Sequence, residues 1–319
     1  MLMYIIKRCV LSLFTLLVLI TIIFVLVRLL PGDPFINEKT NEAIRLKMIE
    51  YHGLDRPIHE QWFRYIGTLI KGDLGVSLKY TGRSVNSAIT ATFPFSGALG
   101  IRALTFALLM GLFLGVMAAQ KAGRTVDYIC MFIAIIGVSA PEFVVSTLMQ
   151  LGFSIKLRWL PATQWLSWRH MILPVFALSL NTLAQLARLT RSSMMEVINQ
   201  DYILTAKAKG LSNFQVIWRH QIRNSILPVI TLMGPRVAYL LAGTFVVEQI
   251  FAIPGMGRFF VQSIQDLDYT MVLGMTVCYG AFLVVANLLV DILYGIVDPR
   301  IKLAEKKYKM SDFEETGGE

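Results

Sequence analysis

The sequence predicts an all-α integral membrane protein of six transmembrane helices, with both termini on the inner side. Three observations lead there. Of the 319 residues, 55% are hydrophobic and only 16% charged, which is a membrane composition. Six stretches approach or exceed the roughly 20 apolar residues that a spanning helix requires. Basic residues also gather on one set of connections. The predicted inner segments hold fifteen Lys or Arg, against four in the two short outer loops.

The first span, Cys9–Val27, carries no charge and is too long for a signal-peptide core, so it reads as a retained anchor. Lys7 and Arg8 precede it and place the N-terminus inside. Residues 1–30 form this unit. Pro31-Gly-Asp-Pro34 then stops the helix, and residues 31–91 make an outer helical region. There Asn37–Tyr51 has helix-forming composition, His52-Gly53 ends it, and Pro57 opens a second helix through Lys71. So small a unit cannot build a large core of its own and is expected to pack on the bundle.

Residues 92–302 are expected to hold the remaining five spans. The second, Thr92–Ala119, enters at Phe93-Pro94 and is interrupted by Arg102. The third, Tyr128–Ile155, contains Glu142, and Pro141 should kink or unwind it. His170–Ala187 and Tyr269–Val290 are charge-free. Ser225–Val247 carries Arg236 and a second expected kink at Gly234-Pro235. Residues 303–319 read as a polar inner tail.

The net charge of +9 is spread over the inner face, where topology and anionic lipid account for it, so it is no nucleic-acid signal. Cys9, Cys130 and Cys278 fall in three different spans, which suits neither a disulfide framework nor a metal site. The sequence contains no phosphate-binding Gly-x-x-x-x-Gly-Lys-Ser/Thr and no His-Glu-x-x-His. The chain is therefore expected to be neither an enzyme nor a nucleotide binder.

Charges inside spans are costly and mark candidate functional residues. By helical rise, Arg102 and Glu142 come to similar depths, roughly 12 Å below the outer face and roughly 20 Å above the inner, so they are expected to pair. For Arg236 the sequence offers no opposite charge at a similar depth, so it is expected to face a central pathway or a second subunit. Arg236, Pro141, Glu142 and Arg102 are thus the candidate pathway residues. Glu248 is expected near the outer interface, in contact with solvent.

The most informative stretch is the inner loop of residues 195–228, above all Asp201–Pro228. Ala206 and Gly210 lie one turn apart, and small residues at that spacing let another backbone approach. Lys207 and Lys209 keep that helix wet. Beyond Gly210, Phe214, Ile217 and Trp218 form an apolar stripe at helical spacing. Two roles suit such a helix pair, docking to a partner or lying on lipid headgroups.

The segment resembles the cytoplasmic coupling loop of ABC importer permeases of the peptide/nickel branch. The matching positions are Asp201-Tyr202, Thr205-Ala206-Lys207-Ala208-Lys209-Gly210-Leu211, His220, Asn224 and Pro228. The broader importer pattern, Glu-Ala-Ala with a Gly four residues on, is kept only at Ala206 and Gly210. Its Ile-x-Leu-Pro is absent from His220–Arg223. Further likeness comes from Pro31-Gly-Asp-Pro34, His52-Gly-Leu-Asp-Arg-Pro57, Gly72-Asp-Leu-Gly75 and Ser139-x-Pro-x-Phe143. Arg188-x-x-Arg191-Ser-Ser-Met194, Phe251-x-Ile-Pro-Gly-Met-Gly257 and Asp298-Pro-Arg300 complete the set.

The likeness is strongest to the B-type membrane subunit of oligopeptide permeases. It implies a type I importer fold in a bacterial plasma membrane and an oligopeptide cargo, with dipeptides or nickel chelates as alternatives. It further implies a homologous second permease, two cytoplasmic ATPases that bind ATP and Mg, and an external substrate-binding protein. Asp201, Thr205, Ala206, Lys207, Gly210, Leu211, His220 and Asn224 would then meet an ATPase. An ion-coupled carrier or a channel is the remoter alternative. A carrier would show embedded acids or matched broken helices in two halves, and of embedded acids only Glu142 qualifies.

Overall fold

The structure, a computed structural model, describes residues 2–29, 35, 42–80, 82–242 and 245–297. The motifs at Pro31–Pro34 and Asp298–Arg300 and the expected 303–319 tail lie outside them. The described residues form thirteen α-helices and two π segments, together with one isolated antiparallel bridge, Val76 to Ser84. In order these are α1 (Leu2–Leu29), α2 (Glu42–His52), α3 (Ile58–Ile70), α4 (Val85–Gln120), α5 (Thr125–Ser139) and α6 (Glu142–Met149). A π segment, Gln150–Lys156, leads towards α7 (Trp168–Ile198), α8 (Asp201–Ala208) and α9 (Asn213–Val216). A second, Ile217–Ile222, leads into α10 (Arg223–Ala242), followed by α11 (Phe245–Ile250), α12 (Met256–Gln265) and α13 (Tyr269–Val297).

Among the described residues, four helices are long and apolar enough to cross a membrane: Ile6–Leu29, Val85–Gln120, Trp168–Ile198 and Tyr269–Leu289. Thr125–Ser139 and Glu142–Lys156 qualify together, bent by 107° at their break. The bend falls at Ala140-Pro141, where a proline that cannot donate a backbone hydrogen bond separates α5 from α6. The stretch expected as the fifth span, Ser225–Val247, is taken by α10 and α11, and α10 runs through Pro228 and Pro235.

The second span begins earlier than the sequence suggested. Ser84 caps α4 by accepting from the Ser87 N–H at 3.1 Å, and Pro94 sits inside the helix. At 1.5 Å per residue its 36 residues reach about 54 Å, well beyond an apolar layer of about 30 Å.

The core is built on α4 against α7. Ala103, Ala107, Gly111 and Gly115 recur every four residues of α4 and are all buried. They let α7 approach until a Cβ on Gly111 would lie 2.7 Å from the Leu186 Cβ. Within lipid, helices associate through such close packing rather than through a hydrophobic drive. Gly137 of α5 does the same against Ala184 and the Leu180 carbonyl.

The α2–α3 unit packs on the bundle as expected. Trp62, Tyr65, Ile66 and Leu69 of α3 lie against Ile20, Phe24, Leu273 and Val277 of α1 and α13. The Trp62 indole donates to the Thr21 hydroxyl at 3.2 Å. Beyond α3, the buried Asp268 accepts from the Ser77 hydroxyl and from the Leu78 N–H at 3.1 Å, tying this region to the start of α13.

Candidate functional site

The loop predicted from Asp201 to Pro228 is ordered and folds on itself. α8 ends in a Schellman arrangement: the Gly210 N–H donates to the Lys207 carbonyl at 3.0 Å, and the Leu211 N–H to the Ala206 carbonyl at 3.4 Å. That geometry needs a left-handed residue, and Gly210 supplies it at φ +77°. Ser212 and Gln215 then form a reciprocal capping box at the start of α9.

Ile203, Ala206 and Val216 are buried together, with Val197 and Leu211 against them. The expectation that Ala206 offers a face to another backbone is thereby corrected. Ala206 is turned into the loop's own small core, and a Cβ on Gly210 would meet open space. The Ala206-x-x-x-Gly210-Leu211 pattern is a helix stop with its hydrophobic contact. What the loop presents outward is Tyr202, Leu204, Phe214 and Trp218, together with the exposed Asp201, Thr205, Lys207 and Lys209. His220 is half-buried and Asn224 exposed. Gly210→Val should cost about 1–2 kcal/mol of local stability, the penalty for a β-carbon in left-handed backbone. Limited proteolysis within 205–215 would register it.

The loop is anchored at its base. The Gln120 side-chain amide at the end of α4 donates to the buried Gln221. Arg191, about two turns before the end of α7, makes a two-pronged bond to Asp127 at 2.6 and 2.7 Å. Asp127 also accepts from the Gly123 N–H at 2.9 Å, so one carboxylate joins α5, the α4–α5 turn and α7. Sequence reasoning singled out Arg191 only as part of a motif and missed Asp127. An acid opening a helix with a Gly-Arg turn before it is the local signal that could have found it.

The bundle's charged residues are placed differently from expectation. Arg102 donates to the Ala98 carbonyl at 3.0 Å and lies over the Trp165 ring at 5.9 Å, so its contacts do not include Glu142. The third span bends by 107° directly before Glu142, so a depth counted along a straight helix does not place that side chain. Glu142 opens α6 directly after Pro141 and is half-buried. Arg236 of α10 donates to the Gln185 side chain of α7, and Gln185 donates to Asn181 at 2.7 Å. A half-buried polar file thus runs between α7 and α10.

Glu248 is the largest departure. Expected at a solvated interface, it is fully buried, at 0% exposure. Ser96 of α4 donates to one carboxylate oxygen at 2.6 Å and accepts from the Met256 N–H at 2.8 Å. The Arg258 N–H donates to the other oxygen at 3.1 Å. These are first-turn N–H groups of α12, which lack partners within their own helix, and a carboxylate there also suits the helix dipole. Gly255 makes room, since a Cβ there would lie 2.3 Å from the Glu248 Cδ, and Gly257 does the same against the Phe245 Cα at 2.6 Å. The Phe251–Gly257 motif is therefore a carboxylate-capped helix start. Glu248→Ala should cost about 1–3 kcal/mol by leaving the Arg258 N–H and Ser96 unsatisfied. A lowered unfolding midpoint in detergent would show it.

Comparison with known proteins places this architecture. The family model described as binding-protein-dependent transport system inner membrane component matches residues 111–303, and its N-terminal counterpart matches residues 1–94. The chain is 46% identical over 304 residues to the dipeptide transport system permease protein DppB of Bacillus subtilis, covering 95% of this chain and 99% of that protein. It is 42% identical over 306 residues to the oligopeptide transport system permease proteins OppB of Haemophilus influenzae and Escherichia coli K12, covering 95% of this chain and all of each relative. Among solved structures, an amino acid ABC transporter superposes with a TM-score of 0.52 at 15% identity, covering 66% of this chain and 94% of that one, a likeness of fold alone. The chain belongs to the family of binding-protein-dependent transport system inner membrane components.

Proposed function

We propose that this chain is the membrane-embedded permease subunit of an ATP-driven peptide importer. The observation that carries the reading is the end-to-end match to peptide permeases at 42–46% identity. The cargo reading is oligopeptides. Dipeptides are the alternative, favoured by the Bacillus relative.

In this reading the chain crosses a bacterial plasma membrane six times, with the α8–α9 loop on the cytoplasmic side among the basic residues. Energy arrives from separate ATPase subunits, because the chain has no phosphate-binding loop. The exposed Tyr202, Leu204, Phe214 and Trp218 give an ATPase an apolar face to grip, and Lys207 and Lys209 rim it. The loop can transmit a push because its own core and Gln221 make it a stiff knob rather than a loose tether. A homologous second permease completes the pathway, to which this chain brings Arg236, Pro141, Glu142 and Arg102, and a substrate-binding protein delivers cargo outside. The Arg236–Gln185–Asn181 file would give a peptide backbone polar partners along the way.

The test is uptake of labelled di-, tri- and pentapeptides by cells that express this chain together with its neighbouring transport genes. Uptake should vanish when the ATPase genes are omitted. Uptake that persists without any ATPase overturns the reading in favour of an ion-coupled carrier.

A further inference from the structure

A small cavity of about 150 Å³ lies where the C-terminal end of α1 meets the α2–α3 turn and the start of α13. Arg28, Arg56, Arg64, Gln61, Tyr65 and Thr68 are among its lining residues, and among the described residues no acidic side chain lines it. Among the described residues, none of the three arginines makes an ion pair. Two of them converge tightly. A Cβ on Gly53 would lie 3.0 Å from an Arg64 Nη1 and 3.8 Å from the Arg56 Nε, so these nitrogens are within about 7 Å of each other. The chain reverses there through Gly53 at φ +64°, and Gln61 holds the turn by donating to the Arg56 carbonyl at 2.7 Å. The Tyr65 hydroxyl is buried and has no hydrogen-bond partner. Two guanidinium groups no more than about 7 Å apart, beside an unused hydroxyl donor, can hold an anion between them.

Depth identifies which anion. Arg28 stands in the last turn of the apolar span Ile6–Leu29. The helix that carries Arg64 and Tyr65 packs beside that span, with the Tyr65 ring 6.0 Å from the Phe24 ring. The same helix exposes Phe63 at 68% and Ile70 at 81%, the pattern of a helix lying in the membrane interface. The cavity is also smaller than the roughly 300–1,000 Å³ that a drug-sized ligand occupies. Guanidinium groups recognise phosphate through paired hydrogen bonds. We propose that Arg28, Arg56, Arg64 and the Tyr65 hydroxyl bind the headgroup phosphate of an anionic phospholipid, in the leaflet that meets the C-terminal end of α1. The lipid would fasten α3 to α1 and α13 at headgroup level, neutralising a charge cluster that otherwise pushes the turn away from the bundle.

The test uses the full-length chain, purified from membranes with the subunits that accompany it and placed in nanodiscs of phosphatidylcholine with phosphatidylglycerol. Lipid that survives detergent extraction is then counted by mass spectrometry. Wild type should retain phosphatidylglycerol selectively, and excess inorganic phosphate should not release it. Arg56→Gln/Arg64→Gln should lower retention roughly tenfold or more, two interfacial cations being lost. Both side chains are exposed, so the fold should persist, and an unchanged unfolding midpoint would verify that. Tyr65→Phe removes only the hydroxyl and should give a smaller drop. Equal retention by wild type and the double variant overturns the proposal. A cavity filled by inorganic phosphate with no lipid retained overturns the lipid source. Unchanged lipid with lost capture of an acidic external protein would make the arginines a docking surface instead.

Discussion

Gly115→Leu is expected to prevent stable assembly of the helix bundle. A Cβ at this position would lie 2.5 Å from the Thr190 Cβ and 2.7 Å from the Ala187 carbonyl oxygen. One of those contacts is backbone, so no rotamer change in α7 can relieve it. The helices must separate along their whole contact, which also uncovers Gly111, Ala107 and Ala103. Overpacking typically costs about 1–3 kcal/mol, and a clash with backbone on the principal helix pair should reach about 3 kcal/mol or more. Gly115→Ala should show a smaller loss of the same sign. Membrane yield and thermal unfolding in detergent measure both. A Gly115→Leu protein that accumulates and unfolds like the parent would contradict the packing described here.

Removing either half of the Asp127–Arg191 pair should have the second largest effect. The Asp127 side chain is 4% exposed and that of Arg191 32%, and the bond is bidentate. Breaking a buried pair leaves one charge without compensation and typically costs about 3–5 kcal/mol. Partial exposure of Arg191 puts the expectation for Asp127→Ala near the lower end of that range, because the remaining guanidinium can still reach water. Arg191→Ala should cost more, since it strands a carboxylate held only by the Gly123 N–H. The double variant should be less destabilised than the sum of the two, as in any cycle where the partners act on each other. Strict additivity would show the pair to be incidental. In the transporter proposed above, both variants should also slow uptake, because the pair sits between the bundle and the loop that receives the stroke.

Much of this architecture was legible in the residues. Long apolar runs located α1, α7 and α13, since a run of that length has few alternatives to a spanning helix. Pro141 located the break between α5 and α6 because the constraint is local and covalent. The glycine at 210 located the end of α8 for the same kind of reason. Three things were hidden, and each depends on direction rather than on composition. The Arg102–Glu142 pairing was inferred from depth along a straight helix, whereas the chain turns by 107° directly before Glu142. Ala206 is small enough to suit a docking face or a buried one, and only the position of Val216 after the turn decides between them. Glu248 meets Ser96 across 152 residues of chain, and no local pattern announces a carboxylate that caps a helix eight residues downstream. The Gly255 beside it was visible as a motif, but its purpose was not.

The π segment Ile217–Ile222 works as a phase joint between the loop and α10. Its wider turn takes in more residues than α geometry would. An α-helix rotates by about 100° per residue, so a residue lost from a regular stretch such as α10 would swing the exposed aromatics through more than a quarter of a circle relative to Arg236. A residue lost from the π segment instead lets it relax towards an α turn, with the azimuth of both flanks preserved. The direction in which Phe214 faces is thereby insulated from changes of chain length where the loop passes into α10.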